Sequence, residues 1–115
     1  MKFLYATLIT LTLSLTVSAA DVEGFLIDKA CSAKAVKDGY AKAGAHSKDC
    51  LQMDGCADSG MGVLTADNKY ILFDKDGAKK ATAALAASKK NENVKIKVSG
   101  DVKGNTMTVK SISIL

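Results

Sequence analysis

Residues 94–99 read VKIKVS, the most regular alternation of apolar and polar residues in the chain. Val94, Ile96 and Val98 alternate with two lysines and a serine, which is the period of a strand with one buried and one solvated face. A shift of one residue in the pairing register would place the lysines in the core. The stretch therefore predicts a β-strand whose apolar side chains enter a core while its lysines face water.

A second strand is predicted directly after it. Gly104-Asn105 is typical of a tight turn, and the following residues from Thr106 to Leu115 are rich in β-branched side chains. The apolar phase of this stretch changes between Val109 and Ile112. Such a slip indicates either a β-bulge or burial of both faces.

Towards the N-terminus the pattern predicts a helix, a hairpin and a first strand. Ala78 to Lys90 places alanine and leucine on one face, and Asp76 in the preceding turn is predicted to cap this helix. Before it, Met61 to Ala66 and Tyr70 to Phe73 are predicted to form a hairpin. Val22 to Asp28 (VEGFLID) is predicted to be the first strand.

The resulting order is a strand, a long partly helical insertion, two strands, a helix and two strands. Five strands with a helix between the third and the fourth are the order of an OB-fold barrel. The sequence thus predicts a mainly β, OB-fold-like barrel formed by a single domain of residues 21–115. An α+β open sheet would give the same order and remains the alternative.

Residues 1–20 have the features of a secretory signal peptide. Lys2 precedes an apolar stretch of about fifteen residues, and small residues at Ser18 and Ala20 suit cleavage before Asp21. The stretch is shorter than the roughly twenty residues that span a bilayer. We therefore expect a periplasmic or secreted domain that has no membrane contact after signal cleavage.

The charged residues exclude one class of partner. The formal net charge is +4, and every basic residue is a lysine. Arginine makes most of the bidentate contacts to phosphate and guanine, and aromatic residues for base stacking are few. Specific nucleic-acid binding is therefore not expected. The sequence predicts no particular oligomeric state. The partner that we expect is a metal ion or an unidentified exported protein.

Three cysteines and the single histidine are the residues best suited to chemistry. In an oxidising compartment, Cys31, Cys50 and Cys56 could form one disulfide and leave one free thiol, in any of three pairings. On this interpretation the protein is a disulfide-stapled structural or protein-interaction domain without a metal.

A metal site is the other interpretation. His46, Cys50, Met53 and Cys56 are spaced by 4, 3 and 3 residues, which places them along one face if residues 45–55 are helical. Cys31, at the end of the first strand, could complete the set. Imidazole and thiolate ligands suit zinc, while thiolate and thioether ligands suit Cu(I). The predicted metal ligands are Cys31, His46, Cys50 and Cys56, with zinc or copper as the ion and no other cofactor.

A set of short motifs extends across the chain after residue 20. The motifs are Gly24-x-x-x-Asp28-x-x-Cys31, His46-x-x-x-Cys50-x-x-Met53-x-x-Cys56, Tyr70-x-x-Phe73-Asp74 and Val98-Ser99-Gly100. In these motifs the sequence resembles a group of small exported bacterial proteins with OB-fold-like periplasmic domains. The resemblance implies a fold and a location, and it implies no activity.

No complete catalytic set is recognisable. His46 could act as a base for Cys50, but no Asn or Asp that would orient it can be identified, and C-x-x-C and G-x-S-x-G motifs are absent. We therefore predict an exported, non-enzymatic binding module with a soft-metal site.

Overall fold

The computed structural model describes residues 17–115. Residues 1–16 of the predicted signal peptide lie outside the described residues. Its last residues, Ser18 to Ala20, form the beginning of the first strand. No helix among the described residues is both long and apolar enough to cross a membrane.

Within residues 17–115, ten regular elements follow one another in the order that the sequence predicts. The strands are β1 (Ser18–Asp28), β2 (Met61–Thr65), β3 (Tyr70–Phe73), β4 (Lys95–Lys103) and β5 (Thr106–Ile114). The helices are α1 (Lys29–Asp38), α2 (Tyr40–Ala43), α3 (Lys48–Gln52), α4 (Asp54–Ser59) and α5 (Lys75–Ala87). The first four helices form the predicted insertion between β1 and β2.

The strands close into a barrel in the order β1-β2-β3-β5-β4. Closure depends on β1, which pairs with β4 over Ser18–Phe25 and with β2 over Gly24–Asp28. Neighbouring strands are antiparallel except β3 and β5, which are parallel. A closed five-stranded barrel with α5 between β3 and β4 confirms the OB-fold-like prediction. The open-sheet alternative is wrong because β1 joins both edges of the sheet.

The alternating pattern that predicts β4 is confirmed. Ile96 and Val98 are fully buried and Lys97 is exposed. The phase slip in β5 has its predicted cause, since the pairing of β4 with β5 shifts between Ser99 and Gly100 and leaves Lys110 without a partner in the register. This bulge allows the apolar residues on both sides of it to face the same core.

The predicted helix cap is wrong by two residues. Asp74, rather than Asp76, is the N-cap of α5, and its Oδ1 accepts hydrogen bonds from the backbone N–H groups of Gly77 and Val109, both at 3.1 Å. The helix begins at Lys75, so Asp76 lies within its first turn. One carboxylate thus joins the start of α5 to β5.

The buried apolar residues form two clusters on opposite sides of the barrel wall. The larger fills the barrel and includes Leu26, Leu85 and Ile96. The smaller lies on the outer surface of β1 and β2, where Ile27 and Leu64 pack against Ala43 of the insertion. Successive strand residues point to opposite faces, so Leu26 and Ile27 enter different clusters. The insertion is therefore held against the outside of the barrel at the end of β1.

Candidate metal site

The centre of the site is Asp28, the last residue of β1. Its side chain is fully buried and is the N-cap of α1. Oδ2 accepts a hydrogen bond from the backbone N–H of Cys31 at 3.0 Å, and Oδ1 lies 2.7 Å from Nε2 of His46. A buried carboxylate requires such partners, because removing an unpaired charge from water costs several kcal/mol, about as much as a whole domain's margin of stability.

Two thiols lie beside this carboxylate. A carboxylate oxygen of Asp28 and the Sγ atoms of Cys31 and Cys56 all lie within 4.8 Å of one another. In tetrahedral zinc sites the Zn–S distance of about 2.3 Å places two sulfur ligands about 3.8 Å apart. The three groups are thus close enough to bind one ion with small side-chain movements.

Local hydrogen bonds dock α4, which carries Cys56, onto the start of α1. The backbone N–H of Lys29 donates to the carbonyl of Gly60 at 2.9 Å, and the N–H of Ala30 donates to Oγ of Ser59 at 3.0 Å. The hydroxyl of Ser59 in turn donates to the carbonyl of Cys56 at 2.7 Å. Because the C-terminal end of α4 is tied to the start of α1 in this way, Cys31 and Cys56 meet although 25 positions separate them in the sequence.

The segment that presents His46 is tied to the loop between α5 and β4. The N–H of Asn93 donates to the carbonyl of Gly44 at 2.8 Å, and the N–H of Lys48 donates to the carbonyl of Asn91 at 2.7 Å. A Cβ atom on Gly44 would collide with Oδ1 of Asn93, so a larger residue here would displace the Asn93 side chain. His46 is therefore fixed from both sides, with 18% of its side chain exposed.

The predicted single helical face is wrong. Met53 has an extended backbone (φ −62°, ψ 137°) and separates α3 from α4, so residues 45–55 form no continuous helix. The thioether of Met53 belongs to a residue that is 60% exposed. Cys50 lies on α3, where its N–H donates to Oγ of the N-cap residue Ser47 at 3.2 Å.

Of the four predicted ligands, the structure brings Cys31 and Cys56 into one cluster and connects His46 to it through Asp28. Cys50 lines the same cavity as Cys31 and His46. Asp28 is a member of this cluster that the sequence pattern does not predict, although it lies in the motif that ends at Cys31. Its position three residues before Cys31, at the boundary between a strand and a helix, is the pattern of an N-cap and is the signal that could have identified it.

The environment of the cluster disfavours negative charge on the thiols. Burial, followed by the nearby carboxylate of Asp28, raises the pKa of Cys31 to about 11. Burial and Asp28 also raise the pKa of Cys56. The pKa of Tyr70 is raised in the same way, by burial and then by Asp28, while its hydroxyl donates to the carbonyl of Ile27 at 2.8 Å. A bound cation would reverse this balance for the thiols, because its positive charge would stabilise the thiolate forms beside the carboxylate.

Within the part of the chain that the structure describes, all three cysteines are free thiols. The sulfur atoms of Cys31 and Cys56 are not at the distance of a disulfide bond. The two thiols are neighbours and are not covalently joined.

No protein-family model, curated protein or solved structure matches this chain in our comparisons.

Proposed function

We propose that this protein is an exported, non-enzymatic binding module that binds a metal ion through Asp28, Cys31 and Cys56. The observation that carries the proposal is the clustering of two half-buried thiol groups and the fully buried carboxylate of Asp28 within 4.8 Å. Carboxylate, thiolate and imidazole groups are the side chains that bind zinc in proteins. The three proposed ligands come from β1, α1 and α4, so the proposed site lies where these elements meet.

The ligand types favour zinc over copper. Cu(I) prefers soft thiolate and thioether ligands, whereas Zn²⁺ also accepts a carboxylate oxygen. Met53, the thioether between Cys50 and Cys56 in the sequence, is 60% exposed and has the extended backbone that separates α3 from α4. We therefore propose Zn²⁺ as the preferred ion, with Cu(I) as the weaker one.

In this proposal His46 supports the site by holding the carboxylate. Its Nε2 lies 2.7 Å from Oδ1 of Asp28, and a hydrogen-bonded partner of this kind orients a ligand and tunes its charge. Cys31 is oriented by the same carboxylate through its backbone N–H. Asp28 thus connects one ligand, one supporting residue and the barrel.

The experiment is a competition titration of zinc between a chromophoric chelator and the reduced, metal-free protein. Replacing Cys31 or Cys56 by serine should weaken binding by more than about 100-fold, since even the loss of a group that only supports a ligand costs about 10- to 100-fold. Asp28→Asn should weaken binding by at least about tenfold, because it retains the cap but removes the charge. The matched control is Asp74→Asn at the start of α5, which should leave zinc affinity unchanged.

Two results would contradict the proposal. Loss of affinity in Cys50→Ser as large as that in Cys31→Ser, with no loss in Asp28→Asn, would favour a Cys₃His site in place of the Asp28 site. Zinc bound no more tightly than by the urea-unfolded chain, together with a rise in melting temperature on oxidation alone, would indicate a disulfide-stapled domain.

A further inference from the structure

A cavity of about 320 Å³ opens beside the proposed metal site. Cys31, His46 and Cys50 line it, so that the cavity shares a proposed ligand with the cluster. The buried apolar side chains of Ile27 and Ala43 also line it. Cavities that hold small ligands start at roughly 300 Å³ and combine such an apolar surface with a few polar groups.

The charged residues around this cavity are mostly basic. Lys34 on α1 and Lys42 on α2 line it, with Asp38 as the single acidic residue among the lining groups. All three are exposed, so their side chains can turn towards a ligand without losing contact with water. The cavity is thus lined by sulfur and imidazole groups, by buried apolar side chains and by exposed charged side chains whose net charge is positive.

We propose that this cavity binds a small organic anion carrying a thiol, with its carboxylate held by Lys34 and Lys42 and its sulfur bound to the metal. This inference rests on the proposed function. Three protein ligands leave the fourth position of a tetrahedral ion open to an exogenous group, and the cavity adjoins Cys31, one of the three. The thiol releases its proton to solvent as the metal–sulfur bond forms, and it replaces a bound water molecule.

The experiment uses the reduced, full-length protein loaded with Co²⁺, whose absorption bands report thiolate ligands and coordination number. Three probes are titrated: 3-mercaptopropionate, ethanethiol and propionate. 3-Mercaptopropionate should bind about tenfold more tightly than ethanethiol, the effect expected of two exposed ion pairs of up to about 1 kcal/mol each. Propionate, which lacks the thiol, should bind more weakly than 3-mercaptopropionate.

The lysines are tested by a double variant, Lys34→Gln with Lys42→Gln, which should reduce the affinity for 3-mercaptopropionate to that for ethanethiol. The matched control is Lys37→Gln with Lys97→Gln, which removes two exposed lysines that do not line the cavity and should retain the tenfold difference.

The outcomes separate this inference from the proposed function. Equal affinity for the two thiols in the cobalt protein, or the same preference in both double variants, would overturn the inference and leave the metal site in place. Absence of thiolate-to-cobalt bands before any probe is added would overturn both.

Discussion

Two junctions between a strand and a helix begin in the same way and differ in what surrounds them. Asp28-Lys29-Ala30-Cys31 connects β1 to α1, and Asp74-Lys75-Asp76-Gly77 connects β3 to α5. In each, the aspartate caps the helix by accepting the backbone N–H three residues later, at 3.0 Å in the first junction and 3.1 Å in the second. The local hydrogen bonding is therefore nearly identical.

The difference lies in the other partners of the two carboxylates. Asp74 also accepts the backbone N–H of Val109, which ties the helix to β5. Asp28 instead lies 2.7 Å from the imidazole of His46 and within 4.8 Å of two thiol sulfur atoms. A backbone amide can only support structure, whereas imidazole and thiol groups can exchange protons and bind metal ions. The same capping motif thus serves structure at one junction and a candidate site at the other.

The largest effect that separates the junctions is expected in the pH dependence of zinc binding. Thiols bind zinc as thiolates, and the pKa of Cys31 is raised to about 11, so both cluster thiols must lose a proton when the metal binds at neutral pH. Zinc affinity should therefore rise with pH, by about 100-fold per unit between pH 6 and 8 if two protons leave. The check is a zinc competition titration at several pH values, corrected for the protonation of the chelator.

A slope near zero would mean that zinc binds without the thiolates, and it would remove the functional distinction between the two junctions. Asp74→Asn is the control, since it changes a capping carboxylate outside the cluster and should leave the slope unchanged.

A smaller effect is expected for stability, at the third residue after each aspartate. A Cβ atom on Gly77 would lie 2.6 Å from Cγ2 of Val109 and 2.5 Å from Oδ1 of Asp74. Gly77→Ala should therefore lower the free energy of unfolding by about 1–3 kcal/mol through overpacking. The higher helix propensity of alanine should offset up to about 1 kcal/mol of this loss. Cys31→Ala in α1 should change it by less than about 1 kcal/mol in metal-free protein.

Urea denaturation of both variants in reductant and chelator measures this difference. Equal destabilisation by the two substitutions would mean that the third residue has the same packing role in both helices, contrary to the comparison.

The barrel could be predicted from the sequence because its signals are local. Alternation around Ile96 reports a half-buried strand, and the phase slip after Val109 reports a bulge, without knowledge of any distant residue. The predicted cap of α5 is wrong because Asp74 and Asp76 both suit an N-cap. Only the hydrogen bond between Asp74 and Val109 of β5 distinguishes the two, and this contact is distant in sequence.

The site depends on contacts between residues that are far apart in sequence. The cysteines and the histidine could be identified by their chemistry, but their arrangement follows from the break at Met53 and from the docking of α4 onto α1. Asp28 meets His46 across 18 residues, through a segment held by the loop before β4. Spacing along a single helix does not predict such long-range contacts. The prediction that His46, Cys50 and Cys56 share one helical face is wrong for this reason.

The ligands of the proposed site can be identified by X-ray absorption spectroscopy of the reduced protein loaded with one equivalent of zinc. With Asp28, Cys31 and Cys56 as ligands, the first shell should contain two sulfur atoms at about 2.3 Å and oxygen or nitrogen atoms at about 2.0–2.2 Å. Cys56→Ser should remove one of these sulfur atoms. A first shell with three sulfur atoms, or one composed of oxygen and nitrogen alone, would contradict the Asp28 site.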